Sequence, residues 1–159
     1  MRSAKLVQLM KSNSVTMSEE LVAKIRSSGK CADLLLRVPE SEQKQYALGI
    51  FLDLTKWLAN ETDSILEGHY VGLGLHRASQ GVPVSQVFSA AAVAREYLWD
   101  YTQQECLHEE PVEFWGGVML LRSLDTFFDR VLYFTLCGYE KAGGGESAVL
   151  SSFSQRRPA

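Results

Sequence analysis

A chain of 159 residues, 46% of them hydrophobic, can build one domain with a full core and is short for a two-domain enzyme. Its net charge of −3, with acids and bases interspersed, excludes the basic face expected of a partner for nucleic acid or anionic membrane. Cys31, Cys106 and Cys137 are odd in number, widely spaced and without a C-x-x-C pair, which excludes a disulfide-framework or zinc signature and predicts a reducing, cytoplasmic setting.

Apolar residues recur at helical spacing through most of the chain, and no stretch alternates long enough to demand a strand, so the expected fold is all-α, about six helices and no sheet. Lys5, Lys11 and Asn13 interrupt the N-terminal stretch, so no secretory h-region is expected there. Leu6, Leu9 and Met10 mark a short first helix. Thr16 and Glu19 have capping-box spacing ahead of a second, carrying Leu21, Val22 and Ile25, which Gly29 stops. Cys31–Val38 reads either as a helical turn or as an extended connector. A third helix follows Pro39, with Ala47, Ile50, Phe51, Leu54, Trp57 and Leu58 on one face until Asn60–Asp63 breaks it.

The fourth helix spans about Ser64 to Gln80. Its Gly68, Gly72 and Gly74 each cost up to ~1 kcal/mol against alanine, and the one-turn spacing of Gly68 and Gly72 suits a closely approaching helix. Gly81-Val82-Pro83 then forms an elbow: glycine supplies the positive φ that ends a helix, and proline, with no amide proton to lose, starts the next. The fifth helix runs from Val84 to about Leu107, with Val87, Ala90, Ala91, Ala94, Leu98 and Tyr101 on one face and Arg95 inside that apolar arc.

A sixth helix begins at Pro111 and runs to Tyr139. Its apolar residues cover an arc of about 200°, against the ~100° stripe of a surface helix, opposite a polar strip of Arg122, Ser123, Thr126, Asp129 and Arg130. Either the helix is central or its second face meets another subunit. Phe114, Val118, Leu121, Leu124, Phe128, Val131 and Leu132 are the candidate interface of a symmetric homodimer. Residues 1–142 form the expected domain, and 143–159, opening with Gly143-Gly144-Gly145, the expected linker or tail. The longest aliphatic runs fall far short of the ~20 residues that span a bilayer, so no membrane association is expected.

The run His76-Arg77-Ala78 through Gln80-Gly81-Val82-Pro83, the helix ending Ala94-Arg95-Glu96-Tyr97-Leu98-Trp99, and the closing Leu124-Asp125-Thr126-Phe127-Phe128-Asp129-Arg130 helix with its later tyrosine occur in the order found in one family. Over roughly Leu6–Tyr139 the chain resembles the N-terminal sensory domain of RsbR-type co-antagonist proteins of bacterial stressosomes. The resemblance implies a globin-like helical fold without haem, a homodimer, and a signal passed through the C-terminal helix to an output domain and other stressosome proteins. That family continues into a STAS domain, and similar domains precede histidine kinases; neither is expected in the residues after the glycine-rich stretch, so the chain reads either as an excised sensor domain or as a free-standing regulator.

The resemblance raises the question of haem, for which His69 and His76, two turns apart on one helix face, are the candidate axial ligands. The preferred reading gives His76 a polar contact at the helix end and His69 a partly buried packing role, with no cofactor. Arg77 could bond C-terminal carbonyls or pair with Glu67 or Asp63, and Arg95 must pair or snorkel; both are candidates for orienting helices or binding an anion. Tyr97, Trp99, Tyr101 and Trp115 either line a ligand pocket or pack the core. Glu105, Glu109, Glu110 and Glu113 suit a helix start, no E-x-x-H pair accompanies them, and no nucleophile–base spacing is present, so the expected function is non-enzymatic.

Overall fold

The computed structural model describes residues 2–60, 62–107 and 114–155, with side chains placed through residue 143 apart from those of Arg2, Phe114 and Trp115. Six helices and no strand occur among these residues: α1 (Arg2–Ser27), α2 (Ala32–Arg37), α3 (Glu40–Asn60), α4 (Asp63–Ser79), α5 (Val84–Cys106) and α6 (Phe114–Gln155). None is long and apolar enough to cross a membrane.

Their make-up differs from the sequence expectation at three places. The first two expected helices are one element, α1, broken only by non-helical geometry at Asn13 (φ −119°, ψ 18°). The restart falls there and not at the capping-box residues, because Met10 and Met17 must both reach the core and the kink turns the two segments onto it together. The ambiguous segment after Gly29 is helical: Gln86 of α5 accepts from the Leu34 amide at 2.8 Å and donates to Asp33 at 3.0 Å, which ties α2 down. Finally, α6 continues past Tyr139 and through Gly143–Gly145 to Gln155, so the backbone shows no break at the expected boundary between residues 142 and 143. Glycine weakens a helix by ~1 kcal/mol but, unlike proline, keeps its N–H, so an established helix can run through it.

The elbow is a Schellman turn. Val82 N–H reaches Arg77 C=O (3.2 Å), Gly81 N–H reaches Ala78 C=O (3.0 Å), and Gly81 takes φ +73°. Pro83 is the N-cap of α5, not its first residue; its carbonyl accepts from Gln86 and Val87. From the far end of the chain, the Tyr139 hydroxyl donates to the Val82 carbonyl at 2.7 Å, pinning the corner to α6.

One core joins all six helices, with Leu6, Leu21, Ile50, Leu54, Leu98 and Phe127 fully enclosed. Trp57 packs on Phe127 at 5.8 Å between centroids, and Phe127 meets Phe128 edge-on at 5.2 Å. The tightest contact is α4 against α6. A Cβ on Gly74 would lie 2.7 Å from the Tyr139 nitrogen and overlap the Thr135 carbonyl oxygen, and one on Gly138 would be 2.8 Å from the Val71 carbonyl carbon. The two helices run in the same direction: Asp63 pairs with Arg130 (3.7 Å), and further along both helices Val71 meets Gly138. Gly68 and Gly72, expected to admit a neighbour, have nothing within 4 Å of a Cβ and face outward; the needed glycine is Gly74, half a turn away on the opposite face.

Candidate functional site

A groove of about 350 Å³ lies between α3 and α4 and is lined by Glu42, Tyr46, Asp53, His69, His76 and Arg77, among others. It arises because α3 presents carboxylates toward α4 at Glu42 and Asp53, three turns apart, while α4 presents its two histidines on the facing side. At one end, Asp53 is 4% exposed, and its oxygens accept from His69 Nδ1 (3.0 Å to each) and the Tyr70 hydroxyl (2.9 Å). A buried carboxylate is costly unless its lone pairs are filled, and these donors fill them. Burial, and then the adjacent Asp53 charge, push the Tyr70 phenol far above its ordinary value, so it remains a donor. The carboxylate assigns the His69 proton to Nδ1. Its ring is 56% exposed, so it is a groove-facing side chain and not the partly buried packing residue expected.

At the other end, one oxygen of Glu42 meets His76 Nε2 (3.1 Å), Arg77 Nη1 (3.1 Å) and Gln80 Nε2 (2.9 Å). Partial burial disfavours the Glu42 anion, but hydrogen bonds from Gln80, Arg77 and His76 outweigh it and hold the carboxyl below its usual 4.5. Arg77 is 5% exposed and also donates to Gln80 Oε1 at 2.8 Å. Its partner is therefore Glu42 across the groove, and neither Glu67 nor Asp63; the side chain points to α3, where a partner can be buried with it. Tyr46 sits between the two clusters, and burial raises its phenol well above the usual range.

Chemically, the groove offers two histidine–carboxylate pairs and a buried guanidinium, which suits hydrogen bonding. Neither end brings a serine or cysteine to its histidine, and no group of three metal-ligating side chains occurs among the described residues. Both histidine rings are half-exposed, whereas an axial haem ligand needs an apolar pocket.

The remaining candidates are scattered. Arg95 is exposed, outside the apolar arc, and with Trp99 and Phe88 borders a separate groove beside α6. Tyr97 and Tyr101 turn instead toward α1, where the Tyr97 hydroxyl donates to Glu20 at 2.6 Å, so they share no pocket with Trp99. Leu124, Phe128 and Val131 are buried in the chain's own core, since α6 packs closely on α4 and α5. Val118, Leu121 and Leu132 keep exposed area, joined by Met119 and Tyr133. The side chains of Phe114 and Trp115, and all of His108–Glu113, lie outside the described residues. Sequence reasoning missed Asp53, Glu42 and Tyr46; the polar positions they occupy on an otherwise apolar helix face are the signal that could have found them.

No protein-family model, curated protein or solved structure matches the chain.

Proposed function

We propose that the chain is a non-enzymatic sensory and dimerisation module, of the kind implied by its resemblance to stressosome N-terminal domains, with α6 carrying the output. The observation that supports this reading is that α4 belongs to two contacts at once. One face carries the histidine–carboxylate groove, and the other meets the α6 backbone at Gly74 and Gly138 with no side chain between. Packed interfaces of that kind switch between discrete arrangements and do not deform smoothly, so a shift of α4 at the groove is passed to α6. Dimerisation draws on Val118, Met119 and Tyr133, apolar area that the single chain leaves open on α6.

Amide exchange in Glu42→Gln and His76→Ala tests the relay. Faster exchange over residues 131–139, with exchange at α1 and α5 around Tyr97 unchanged, is the expected result. An α6 indifferent to both substitutions overturns the relay, and a monomer by light scattering at all concentrations removes the dimer.

A further inference from the structure

Behind the groove lies a second, smaller space of about 20 Å³, bordered by residues from all six helices, among them Leu34, Gln43, Tyr46, Arg77, Ala90 and Thr135. Most of this wall is apolar, but four polar side chains converge on it. Gln43 is 8% exposed; its Nε2 donates to the Val38 carbonyl at 2.9 Å, while its Oε1 is fully enclosed with no hydrogen-bond partner. Arg77 spends both Nη1 protons on Glu42 and Gln80, leaving Nε–H and Nη2 without protein partners among the described residues. Thr135 donates to Val131 C=O at 2.7 Å and keeps acceptor capacity. The Tyr46 phenol, held protonated by burial, supplies a further hydroxyl.

We propose that this cavity is a built hydration site, holding one long-lived water that donates to Gln43 Oε1 and accepts from the Tyr46 hydroxyl. A buried acceptor left unpaired is destabilising. A single water needs roughly 10–15 Å³ of such volume and two to four polar partners, and both conditions are met here. Because Tyr46, Leu73 and Arg77 border both spaces, they form the wall between this water and the solvent-filled groove. The water joins α3 to α4, and through Thr135 it reaches the α6 turn that Gly74 touches.

The test is water–protein cross-relaxation on the isotope-labelled full chain, read at the Gln43 side-chain amide, together with Tyr46→Phe. The expected result is a water cross-peak of the sign given by a long-lived water, weakened in Tyr46→Phe, whose Tm falls. Absence of that cross-peak in the unsubstituted chain overturns the site. So does a Tyr46→Phe protein that melts at the same or a higher temperature, as removing an unbridged hydroxyl would produce.

Discussion

Where α4 meets α6, Gly74 and Gly138 bring backbone against backbone and leave no space for a methyl group. Where the same helix meets α3, His69, His76 and Arg77 reach across an open groove to two carboxylates. At these glycines the first contact is a matter of shape. The second depends on protonation and charge, and the solution can alter it. A helix held in both ways has one fixed side and one adjustable side.

The largest expected effect breaks the fixed side. Gly74→Ala gains helix propensity, yet its Cβ meets the Thr135 and Tyr139 backbone, which cannot rotate aside as a side chain could. Forced separation of the helices should cost about 3 kcal/mol, lowering Tm by roughly 10 °C in a thermal melt. Next comes the deeper half of the groove. Asp53→Asn puts an amide where His69 now donates and removes a buried charge with three bonds, for a loss of about 2 kcal/mol in urea unfolding.

Glu42→Gln is smaller, about 1 kcal/mol at neutral pH, because that end is partly solvated. It also carries a sign. The folded-state carboxyl of Glu42 titrates below its ordinary 4.5, so its contribution is complete above that pH and disappears as pH falls through the lower folded value. The variant should therefore lose less stability than the unsubstituted chain on acidification below about pH 4.5, measured by urea titrations at stepped pH. The smallest effect has the opposite direction: Gly72→Ala, on the outward face, should stabilise by about 0.5–1 kcal/mol. A loss there would mean that another surface covers the face.

The helices were largely legible because each needs an apolar stripe at its own period, and the elbow was legible because Gly81 and Pro83 carry their backbone preferences with them. Which glycine mattered was not. Gly68, Gly72 and Gly74 have the same local chemistry, and only the position of α6 distinguishes Gly74. The groove was half legible: His69, His76 and Arg77 stood out, but their partners lie 16 to 35 residues earlier, and single-sequence reasoning cannot pair across that distance. Arg95 misled because a wheel assigns faces from idealised geometry, and the edge of an apolar arc can lie at the surface.

The bond between Tyr139 and Val82 spans 57 residues and bears on how the protein is made. The turn at Val82 closes with local bonds alone, so the emerging chain can form it early. The strip of bare backbone on α4, however, stays wet until the stretch from Thr135 to Tyr139 has left the ribosome. Vectorial synthesis thus yields the corner first and the α4–α6 contact only after Tyr139 has emerged, and a chain stalled before Tyr139 should be a ready target for chaperones and proteases.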